Sequence, residues 1–66
     1  MDKTLSNYLD QVDRHLRPLP AGERADIILE IRSEILELEA AGAAPEEILS
    51  RLGDARDLAA AYLGDT

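Results

Sequence analysis

The apolar positions of this chain recur with a helical period from one end to the other. Leu5, Tyr8, Leu9, Val12, Leu16 and Leu19 follow an i, i+3, i+4, i+7 spacing. At 100° per residue they fall in a stripe about 100° wide, which predicts a helix with one buried face over residues 3–17. Arg17-Pro18-Leu19-Pro20 ends it, because each proline biases the residue before it away from helical backbone. Leu19 is then expected to pack at the turn. A second helix is expected over residues 20–41, with Pro20 in its first turn, where a missing N–H costs nothing. Glu23 and Asp26 would lie near the positive end of its dipole. Gly42 reads as its left-handed terminator. Ala44-Pro45-Glu46-Glu47 opens a third, short helix over 45–52 with Ile48, Leu49 and Leu52 as its apolar residues. Ala44 is a weak cap, so that start relies on Pro45 and the two glutamates. In Leu52-Gly53-Asp54 a stop meets a start: Gly53 suits the left-handed region, and Asp54 reads as an N-cap with Asp57 three positions on. A fourth helix over 55–63 carries Leu58, Ala59, Ala61, Tyr62 and Leu63. Strand alternation, repeats and low-complexity tracts are missing from the pattern. The expectation is an all-α fold: a compact three- or four-helix array, two longer helices followed by a short helix-turn-helix, in one domain spanning 1–66.

The second helix carries more apolar surface than one neighbour can cover. Ile27, Ile28, Ile31, Ile35 and Leu38 make one stripe, and Ala25, Leu29, Leu36 and Ala40 make another beside it. Together they wrap roughly 220° of the helix. Arg32 and Glu39 sit inside that arc, and Asp26, Glu30, Ser33, Glu34 and Glu37 form the polar remainder. On one reading this is the central helix, packed by the first helix on one side and by the third and fourth on the other. On the other, part of the second stripe stays open for another chain, with Arg32 and Glu39 setting register. Ala25, Leu29, Arg32, Leu36, Glu39 and Ala40 are therefore the candidate partner-binding residues.

Composition narrows the choice of function. Sixty-six residues fold around a thin core. There is no cysteine to form a disulfide or a thiolate–metal site. The longest apolar run, Leu58 to Leu63, falls far short of the ~20 residues a membrane span needs. Met1-Asp2-Lys3-Thr4 does not begin a secretion signal. Fourteen acidic residues against seven basic ones give a net charge of −7, which argues against a nucleic-acid partner. Residues 21–47 hold eight acids and two bases, so −6 of that charge belongs to the middle of the chain.

Little here points to catalysis. His15 is the one histidine, at the flank of the first helix, and neither a second histidine nor a glycine-rich phosphate loop accompanies it. Glu30, Glu34 and Glu37 share a helical face and could approach a cation, but the Glu-x-x-His motifs that complete metal sites in helical bundles are missing. No cofactor is expected, and a solvated acidic face is the simpler reading. Residues 41–62 have the cadence of a DNA-binding helix-turn-helix. Its would-be recognition helix, Ala55-Arg56-Asp57-Leu58-Ala59-Ala60-Ala61-Tyr62, offers one arginine and a run of alanines, where base readout needs several Arg, Asn, Gln or Lys in a basic surround.

At these residues the chain resembles a known family. Leu19-Pro20-x-x-Glu23-Arg24, the segment from Ile28 to Ile35, Gly42-x-x-Pro45-Glu46-Glu47-Ile48 and Leu52-Gly53-Asp54-Ala55-Arg56-Asp57-Leu58-Ala59 are similar to the HAAS-type helical domain. With Tyr8, Leu9 and Leu16 in its opening helix, the resemblance covers about residues 5–63. Ala55 stands where the family usually has proline, and Pro45 lies one place beyond its usual cap serine; both departures touch helix starts. The resemblance implies a cytosolic N-terminal part of a bacterial membrane protein, acting with a PadR-type transcription regulator. It implies a cytoplasmic location, tethered to the inner face of the membrane through segments beyond Thr66 in the parent, or else a stand-alone relative.

The function expected is thus a non-enzymatic, acidic helical module for protein–protein interaction in bacterial signalling. Its second helix would meet a basic or amphipathic surface on a regulator. The alternative is homo-oligomerisation through the same stripe, with a helix-turn-helix DNA binder third.

Overall fold

A computed structural model describes residues 1–64. Among them it holds four helices and no strand: α1 Lys3–His15, α2 Ala21–Ala40, α3 Pro45–Leu52 and α4 Ala55–Leu63. Asp2 starts α1: its backbone is extended, and its carboxylate accepts a hydrogen bond of 2.9 Å from the Thr4 N–H. The helix ends two residues earlier than the sequence suggests. Leu16 N–H donates to the carbonyls of both Val12 and Asp13, and Leu19 N–H donates to Leu16, so the chain tightens into a turn around Pro18. Pro20 stands just outside α2 rather than in its first turn, extended at φ −57°, ψ 151°, and its carbonyl accepts from Arg24 N–H.

The far end of α2 closes as expected. Gly42 has φ 92°, Ala43 N–H donates to Leu38 and Gly42 N–H to Glu39. This paired pattern satisfies carbonyls that the helix end leaves free, and it lets Ala43 and Leu38 both pack against the core. Pro45 opens α3 at its first position.

Two expectations at the α3–α4 junction need correction. Gly53 has positive φ, 83°, but its ψ of −170° lies outside the left-handed helical region. The chain leaves α3 extended instead of curling, in a conformation that is essentially restricted to glycine. Asp54 does hold the N-cap position of α4, yet its side chain makes no capping hydrogen bond. Only its carbonyl serves the helix, accepting from Leu58 N–H.

The core is assembled around α1. Leu5, Tyr8, Leu9, Val12 and Leu16 come from α1 and its cap, Ile31 and Ile35 from α2, Ile48 from α3, and Ala55 and Ala59 from α4. α1 touches each of the other three helices and packs most extensively on α4. The two buried alanines let α4 lie close against it. α2 packs on α1 and α3 but hardly meets α4. The arrangement with α2 central, wedged between α1 and both later helices, is therefore not the one formed. α1 occupies the centre, and one long face of α2 is left without a neighbouring helix. At 33 Å, the long dimension of the molecule is close to the ~30 Å length of α2 itself.

Candidate functional site

The face of α2 that α1 and α3 leave uncovered is the one carrying the second apolar stripe. Ile31 and Ile35 are buried at 1 % and 0 % exposure, whereas Leu29 is 58 % and Leu36 44 % exposed. At 100° per residue Leu29 points about 140° away from the Ile31–Ile35 direction, so burial of one pair dictates exposure of the other. Ala25, Arg32 and Ala40 are exposed as well, and Glu39 is half-buried. All six candidate residues thus share one side of one helix, and none of the six belongs to the core cluster.

The flanks of this stripe differ in charge. Asp26, Glu30 and Glu37, all exposed, run along one side. Arg32 and Glu39 run along the other and nearly cancel. Along its length the acidic flank adds repulsion to the helix that carries it. Asp26–Glu30 and Glu30–Glu34 are like charges at i, i+4, which repel. Glu37 and Glu39 lie in the last turn, at the negative end of the dipole, with no base there to offset them. Among the described residues the one ion pair joins Arg24 Nε to Asp13 Oδ1 at 3.2 Å. It ties the start of α2 to the end of α1 on the side of α2 turned away from this flank, and being half-exposed it contributes little.

Sequence reasoning missed one member of this surface. Tyr62, 37 % exposed near the end of α4, lies beside the acidic flank. Partial burial, and then the carboxylates of Glu30 and Glu34, push its phenol pKa up. A large side chain half-open on an otherwise alanine-rich helix was the available signal. The other tyrosine is structural: Tyr8 is 8 % exposed and donates from its hydroxyl to the Gly53 carbonyl at 2.7 Å.

The described residues form no pocket and no group of acids or histidines placed to hold a metal ion. Glu30, Glu34 and Glu37 share their face as open carboxylates, and His15 is exposed at the end of α1. In the helix-turn-helix segment, Ala55 and Ala59 turn into the core, leaving Arg56 as the sole base that α4 shows to solvent. No described helix is long and apolar enough to cross a membrane.

Comparison with curated proteins and with solved structures gives no match. A protein-family model, HAAS, matches residues 7–61. The match runs from the first turns of α1 almost to the end of α4, so it takes in the whole four-helix arrangement, and the chain belongs to the HAAS family.

Proposed function

We propose that this chain is a non-enzymatic protein-interaction module of a bacterial signalling system, the cytosolic part of a membrane protein that acts with a PadR-type transcription regulator. Family membership supports the pairing with such a regulator. The tether would lie in another part of the parent protein. The observation that carries the interaction reading is the pair Leu29 and Leu36, two large apolar side chains seven residues apart on a helix face with no neighbouring helix. Apolar anchors at this spacing are the way a helix is read by a partner. Titration calorimetry with the purified regulator tests the reading. Binding by the native chain, weakened at least tenfold when Leu29 and Leu36 are both changed to alanine, is the expected result. A regulator that ignores the native chain, or binds the double variant equally well, refutes it.

A further inference from the structure

We infer that the outward face of α2 receives a basic amphipathic helix of the partner protein, whose apolar side chains meet Leu29 and Leu36 and whose lysines or arginines lie along Asp26, Glu30 and Glu37. The inference rests on the reading of this face as an interaction surface and adds the chemistry of what covers it. Leu29 and Leu36 are two helical turns apart, which matches two apolar residues a heptad apart on an incoming helix. The other members of the stripe, Ala25 and Ala40, are small, and Ser33 is a small residue at its acidic edge, so a helix can approach closely between that edge and Arg32.

Charge selects among possible occupants. An antiparallel pair of identical helices is related by a two-fold axis lying between them, and that symmetry sets each flank against its own copy. A second copy of this chain would therefore bring Asp26, Glu30 and Glu37 against the same three carboxylates, and each chain already carries −7. In the parallel arrangement the acidic flank meets Arg32 and Glu39, which cancel one another and leave it uncompensated. Basic residues on a different partner resolve the imbalance in either direction. Tyr62, 37 % exposed on α4, is close enough to Glu30 and Glu34 to feel their charge, so it borders the surface such a helix would cover.

The test uses a synthetic amphipathic helix with two leucines seven residues apart and lysines along one flank. Its controls are a twin with glutamates on that flank and another with alanines in place of the leucines. Fluorescence anisotropy against the full chain should show binding of the leucine–lysine peptide and at least tenfold weaker binding of both controls. Raising the salt should weaken the complex, as screening requires. Neutralising the flank by Glu30→Gln with Glu37→Gln should weaken it about tenfold, and so should Leu29→Ala with Leu36→Ala. If the leucine changes abolish binding while the glutamine changes and the glutamate peptide make no difference, the stripe is an interaction face but its partner is not basic. If neither pair of changes matters, or no peptide binds, both the partner chemistry and the interaction face are refuted. Sedimentation of the chain alone at neutral pH should give a monomer; a dimer dissociated by Leu29→Ala would overturn the inference in favour of a second copy.

Discussion

Tyr8 and Gly53 are 45 positions apart in the chain and 2.7 Å apart in space, joined by a hydrogen bond from the phenol to the carbonyl. The bond fastens the middle of α1 to the junction between α3 and α4. Removing the hydroxyl in Tyr8→Phe keeps the ring in the core, and the freed carbonyl belongs to an exposed residue that water can reach. The expected loss is about 1 kcal/mol. In a domain of this size that lowers the melting temperature by roughly 4–8 °C. A melting curve that overlays the native one would show that the bond contributes nothing.

The same phenol makes stability depend on alkaline pH. Burial, and then the nearby Asp54 carboxylate, raise the Tyr8 pKa. The folded chain then holds the proton longer than the unfolded one. The stabilisation is complete below the ordinary tyrosine range and is lost as pH climbs into that range and through the raised value. Urea midpoints should therefore be level from neutral to mildly alkaline pH and fall beyond about pH 10. Tyr8→Phe should remove part of the fall, leaving the share that belongs to Tyr62, whose pKa is also raised. An equally steep decline in the variant would place its cause elsewhere.

Gly53 tests the backbone itself. A Cβ there would meet nothing within 4 Å, so any penalty comes from φ 83°, ψ −170° and not from crowding. Asparagine is tolerated in the left-handed helical region but has no such licence here. Gly53→Asn and Gly53→Ala should each cost about 1–3 kcal/mol. At Gly64, which is left-handed at φ 67°, ψ 24°, asparagine should cost clearly less than alanine. Denaturant titration of the four variants separates the two kinds of positive φ. An asparagine at 53 that outperforms alanine would contradict the geometry.

The two aspartates at helix starts should behave differently. Asp2 accepts from the Thr4 N–H and caps α1, so Asp2→Ala should cost about 1 kcal/mol. Asp54 makes no such bond, and Asp54→Ala should stay within about 0.5 kcal/mol of native. Equal losses in urea midpoint would mean that Asp54 caps α4 after all.

On α2, Ile35→Ala deletes a fully buried side chain and should cost about 2–5 kcal/mol, enough to unfold much of the population. Leu29→Ala and Leu36→Ala remove side chains that face solvent in the free chain and should change stability by less than about 0.5 kcal/mol. Far-UV circular dichroism with thermal melts makes the comparison. Leucine variants as unstable as the isoleucine one would place Leu29 and Leu36 in the core.

What could be read from the sequence follows from how local each feature is. The stripe from Leu5 to Leu16 and the glycine at 42 are set by spacing and backbone freedom within a few residues, and the structure agrees with both. The arc on α2 was visible as an excess of apolar surface. Which half of it would be covered depends on where α4 goes, and that is decided by Ala55 and Ala59, whose small size suits a close approach to α1. Asp54 looked like a cap because position and residue type were right. Whether its carboxylate turns toward the helix is a matter of side-chain rotamer that residue type does not specify. Tyr62 entered the acidic face only through tertiary packing.

The dependence of α4 on α1 also has a consequence for how the molecule comes into being. α4 settles mainly on α1, and about 40 residues of chain must close into a loop between them. Until that happens, Tyr8 lacks its acceptor and the far side of α1 lies open. A nascent chain halted after α3 has three of the four described helices and still no finished core, so the domain is completed as a unit, only once α4 has emerged.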